Sequence, residues 1–165
     1  MIQLMYLHAD ANEELGYQSY LIVQQENNKP YMILKDDEII GELEFVKDTW
    51  TGSVLSPLKQ SYIQDIGKFI SQQAFYRLPS QILARGSEYV KDIVVVSEAE
   101  IMVICLPDVD FNAFRRLFNI FVKNIMQQND IMNFKVFDSN FEHDFSLEIQ
   151  ITATIMKNFS LKNWS

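Results

Sequence analysis

Few of the 165 residues are of a type that could do chemistry, and those few are thinly spread. His143 stands between Glu142 and Asp144, and His8 is followed by Asp10, Glu13 and Glu14, so an imidazole and carboxylate metal site would form only if the two ends of the chain met. Neither group has the spacing that puts two ligands on one helical face. Both read as solvated loop residues, and no metal is expected. The one cysteine, Cys105, lies in the run Ile101-Met102-Val103-Ile104-Cys105-Leu106, where a thiol behaves as a small hydrophobe. A reactive thiolate needs an exposed, electropositive setting that this run does not offer. The chain contains no G-x-G-x-x-G, G-x-x-x-x-G-K, H-E-x-x-H, G-x-S-x-G or C-x-x-C, and its five glycines are isolated. Catalytic residues and cofactors are therefore not expected, and the chain reads as a non-enzyme.

Carboxylates are the abundant group. Twenty-two Asp and Glu against fourteen Lys and Arg give a net charge of −8. Such a field repels phosphate backbones and anionic lipid, and Arg77, Arg85, Arg115 and Arg116 include only one adjacent pair. Neither nucleic acid nor a membrane is an expected partner. The longest unbroken apolar run is the six residues 101–106, far short of a membrane-spanning helix. The apolar stretch 1–7 has no basic segment before it, which argues against a secretory signal. A lone thiol that cannot form an internal bridge adds to an expectation of the reducing cytoplasm.

Chain patterning indicates which elements carry these groups. Residues 1–55 hold three cations against ten carboxylates and read as strands: 19–25, then 31–35 after the turn Asn27-Asn28-Lys29-Pro30, then 38–46 after Asp36-Asp37. Alternation in the last strand sets Glu38, Glu42 and Glu44 on one side with Ile40, and Ile39, Leu43 and Phe45 on the other with Gly41. Trp50 follows in the polar loop 47–53, either as an anchor for a partner or as cover for the sheet edge. A helix is expected from Ser56-Pro57 with Leu58, Tyr62, Ile66, Phe69 and Ile70 on its apolar face, ending before Pro79. Residues 90–96 and 100–106 read as a central hairpin buried on both faces, its turn flanked by Glu98 and Glu100. A second helix follows Asp108 or Asp110, with a phenylalanine-rich core face from Phe111 to Met126. A short strand near 134–137, a polar loop 138–144 and a strand 145–155 of strict period two complete the fold, with Glu148 on the polar side. The tail 156–165 carries Trp164 and is expected to dock or fray. Segments 31–76 and 90–128 share a pattern of acidic hairpin and basic helix, but no aligned identity supports duplication.

These elements fit one domain over 1–165 of α+β class: a two-layer sandwich in which a mainly antiparallel sheet carries two amphipathic helices on one face. The other face would be open and acidic. The expected role is protein binding without catalysis, as in an inhibitor or immunity-type protein that neutralises a basic toxin domain. Glu38, Ile40, Glu42, Glu44, Trp50, Glu98, Glu100 and Glu148 form its binding surface, with Tyr89 as a further anchor. Two alternatives belong to other classes. One is a ligand-binding protein or enzyme with Glu42, Glu44 and His143 around a pocket on the open sheet. The other is a subunit of a larger assembly or homo-oligomer, with Ile40, Met102 and Ile104 covered by a neighbouring chain.

Overall fold

The computed structural model describes residues 1–9, 16–53 and 58–152. Its N-terminal portion is a five-stranded antiparallel sheet in simple chain order: β1 (Ile2–Ala9), β2 (Tyr17–Gln24), β3 (Tyr31–Lys35), β4 (Glu38–Val46) and β5 (Thr49–Gly52). Asp36-Asp37 and Lys47-Asp48 close two of the hairpins with all four residues at positive φ, the two-residue loop geometry that matches strand twist. β1 and β5 lie outside the strands that the sequence pattern predicts. β1 alternates, but apolar residues occupy both its faces and hide the period. β5 contains Trp50, whose polar neighbours resemble a loop.

A second, mixed sheet follows in the order β6 (Val90–Ser97), β7 (Glu100–Cys105), β8 (Ile131–Phe137), β9 (Asp144–Gln150). β6 with β7 and β8 with β9 are antiparallel, while β7 and β8 run parallel. A parallel pair needs a crossover, and α3 (Phe111–Ile125) supplies it. Of the hairpin expected at the centre, β7 is internal but β6 is an edge strand. β7 alternates after all, with Ile101, Val103 and Cys105 inward and Met102 and Ile104 outward and half-buried.

The single long helix expected before Pro79 is two. α1 (Gln60–Gln72) and α2 (Ala74–Gly86) meet at Gln73, whose ψ of 146° is extended. Pro79 lies inside α2, so the proline does not end the helix; the break falls six residues earlier and the chain turns there instead. The proposed start at Ser56-Pro57 lies outside the described residues, as do positions 153–155 of the last strand and the tail with Trp164. α3 starts at Asp110, the second of the two aspartates expected there, whose carboxylate accepts the Ala113 N–H at 3.0 Å.

The fold is α+β, with α1 against β4 and β5, α2 against β6 to β8, and α3 against β9. The helix-facing sides of both sheets share one apolar core. Ile22, Ile33 and Leu43 supply it from the first sheet, Ile101, Val103 and Phe134 from the second, and Ile66, Leu78, Ile82 and Phe118 from the helices.

Candidate functional site

Strand register decides what the open side of the first sheet displays. Ile22 faces Ile33 across β2 and β3, and Tyr31 faces Leu43 across β3 and β4, all four on the helix side. The alternate residues point away: Met5 and Leu7 on β1, Tyr17 and Leu21 on β2, Met32 and Leu34 on β3, Ile39, Glu42 and Glu44 on β4. Met5, Leu7, Tyr17 and Ile39 are 61%, 62%, 70% and 60% exposed. The face expected to be polar thus carries apolar side chains along with Glu42 and Glu44. Opposite those glutamates stand Met32 and Thr51, so neither meets a like charge across the ladder. Among the described residues no cation pairs with either.

A β-bulge redistributes the rest of the expected acidic stripe. Ile33 pairs with Gly41 but Leu34 pairs with Ile39, so Ile40 is an extra residue and the alternation slips by one. Ile40 therefore packs on the core, Ile39 turns out to solvent, and Glu38 leaves the face that carries Glu42 and Glu44. Sequence alternation alone carries no mark of that slip.

Trp50 is withdrawn from the open face of the sheet. It is 5% exposed and faces the helices, where its indole N–H donates to Ser71 Oγ at 2.9 Å and Gln64 Nε2 donates to its carbonyl at 3.0 Å. Its ring lies flush on Gly67 of α1, a close approach that any side chain would block. The missed signal was Gly67 at the centre of an amphipathic helix, which marks a site of tight packing.

The remaining acidic residues belong to the second sheet. Glu100 and Glu148 lie on its outward side, flanking Asn133, and Glu98 sits in the β6–β7 turn. Lys135 pairs with Glu100 at 3.0 Å and offsets its charge. Met102 and Ile104 share this face. Tyr89 lies elsewhere, at the mouth of a groove of about 350 Å³ between α2 and α3, near Leu117 and Ile120. Those two are the residues of α3 that the core leaves uncovered.

The candidate reactive groups separate. His8 points to the helix side of β1, its ring 4.3 Å from that of Tyr62. His143 closes the β8–β9 loop, its Nδ1 2.9 Å from Asp138 Oδ2. Asp138 also accepts the N–H groups of Glu142 (2.9 Å) and Asn140 (3.2 Å). The His143 hydrogen bond, reinforced by those backbone donors, holds the Asp138 carboxyl below the usual range. Asp138, Glu142 and His143 bring ligand atoms within 4.8 Å of one another, but on the surface of a loop that they themselves brace. Neither Glu42 nor His143 lines the clefts at β6 and at α3, so the enzyme alternative does not find its three residues together there. Cys105 is buried, and desolvation pushes its thiol up to about 11.

No helix among the described residues is long and apolar enough to cross a membrane. Compared with protein-family models, with curated proteins and with solved structures, the chain matches none of them.

Proposed function

We propose that the protein is a non-enzymatic binding domain that docks a basic protein partner on the open face of its first sheet, in a reducing, cytoplasmic setting. One observation carries this reading: exposed apolar side chains, Met5, Leu7, Tyr17 and Ile39, spread from β1 to β4 on the face that also bears Glu42 and Glu44, neither of which pairs with a cation among the described residues. Exposed apolar surface of this kind marks docking sites, and the glutamates supply the charge that attracts and orients a cationic partner. An inhibitor or immunity-type protein facing a basic toxin domain is one form of this role.

Affinity capture from the source cell tests it. The wild-type chain is expected to retain a basic protein that is released at high salt, and Glu42→Lys and Leu7→Asp are each expected to lose it. Capture that persists in both variants overturns the reading. Light scattering on the isolated protein separates a foreign partner from a second copy of the chain, since self-association through this face would be abolished by Leu7→Asp.

A further inference from the structure

A cleft of about 660 Å³ opens between the first sheet and β6. One wall is aromatic. Phe45 lies 5.3 Å from Trp50, Tyr76 of α2 lies 5.8 Å from the same ring, and Tyr31 meets it edge-on at 5.8 Å. Two carboxylate residues, Glu44 and Asp92, and one ammonium residue, Lys29, line the same space. Tyr31 is only 7% exposed, yet its hydroxyl makes no hydrogen bond to any described group. That oxygen is not among the sealed polar atoms left without a partner, so it meets the solvent of the cleft and is open to a ligand there.

The other wall is the edge of β6. Asn27 Nδ2 donates to the Val95 carbonyl at 3.0 Å, which shows that the peptide groups of Val95 point away from β7. Strand parity turns those of Ile93 the same way. The Ile93 N–H is taken by the Asp92 carboxylate at 2.8 Å. The same parity puts the Ile93 carbonyl and the Val95 N–H on this edge, next to the Val96 carbonyl, which accepts from the Met1 amino group at 3.4 Å.

We propose that this cleft binds an extended basic peptide: the segment adds to the free edge of β6 and lays one lysine or arginine side chain against the aromatic wall, near Glu44 and Asp92. Free strand edges capture extended chains by main-chain hydrogen bonds, and adjoining pockets select side chains. Aromatic faces flanked by carboxylates attract a cation. The volume exceeds that of one side chain and leaves room for the backbone that delivers it. Glu44 borders both the cleft and the open face, whereas Glu42 and Leu7 belong to the open face alone, so variants at those two positions separate the sites.

Fluorescence anisotropy with a labelled valine-rich pentapeptide bearing a central arginine tests the cleft. The arginine peptide is expected to bind roughly tenfold more tightly than its glutamine counterpart, the scale of a desolvated cation contact. Tyr31→Phe and Asp92→Asn are each expected to weaken binding, and Lys29→Ala to strengthen it by removing the opposing charge. Val95→Pro removes a donor that the ladder does not use, so an edge strand tolerates it, and binding is expected to vanish. Circular dichroism monitors the fold of each variant. Equal affinity for the two peptides, or affinity indifferent to both Asp92→Asn and Tyr31→Phe, overturns the proposal. Glu42→Lys and Leu7→Asp leave peptide affinity unchanged, which keeps failure here distinct from failure of the docking face.

Discussion

Trp50 and Gly67 illustrate how single residues tie the layers together. A methyl group at position 67 would reach 2.2 Å from the indole, so the ring or the helix would have to move. In an exposed helix Gly→Ala gains about 1 kcal/mol. Here overpacking, which costs about 1 to 3 kcal/mol and rises when the obstacle is a rigid ring, outweighs that gain. Gly67→Ala is therefore expected to lower the urea midpoint, with a red shift in tryptophan emission as the indole is displaced. Arg77 and Asp130 pose a second case at this scale. Their side chains meet at 2.6 Å, each only 12% exposed, while the Arg77 Nη1 has no partner. Asp130 also accepts the Gln127 N–H at 2.6 Å, so it stays partly satisfied without the arginine. Asp130→Ala leaves the buried guanidinium without a counter-charge, its Nε–H donating only to the Gln72 carbonyl at 3.1 Å, and is expected to cost about 3 to 5 kcal/mol, against distinctly less for Arg77→Met. Equal losses in chemical denaturation would contradict that asymmetry.

Elements were legible where one principle acted alone. The amphipathic period of α1 puts Ile66 and Ile70 on its buried face, Asp110 is one of the two caps expected for α3, and the alternation of β9 sets Glu148 on its polar side. Misreadings arose where two effects competed. Ile40 and Glu38 were assigned to the wrong side because the extra residue in β4 is set by its pairing with β3, which no local pattern records. Trp50 fits both a partner anchor and edge cover by its polar sequence neighbours, and only the distant Gly67 that receives it decides between them. Pro79 predicts a helix end, but the turn at Gln73 ends α1 first and Pro79 falls inside α2. For the proposed docking face, Glu42 and Glu44 can be read from β4 alone, whereas its exposed apolar residues come from β1, β2 and β4 and share a face only through the register of the sheet.

Across the whole molecule the charge divides by layer. The three helices hold six cations, Lys68, Arg77, Arg85, Arg115, Arg116 and Lys123, against the single anion Asp65, so the excess acid resides in the strands and loops. The basic partner proposed above would thereby be steered toward the sheet side. Because Met5 and Leu7 are already mostly in water, Met5→Ser and Leu7→Ser are expected to change stability by less than about 0.5 kcal/mol. The same pair is expected to reduce binding of the dye ANS; undiminished dye fluorescence would place the adhesive surface elsewhere.

The parallel joint of β7 and β8 has a consequence for biosynthesis. The first sheet consists of neighbouring hairpins and can assemble as it leaves the ribosome, but β7 must wait for α3 and β8. At about 5 to 20 residues per second that delay is roughly 2 to 6 seconds. During it, one side of an apolar strand has no mate. A nascent chain stalled after β7 is thus the form of this protein most in need of a chaperone.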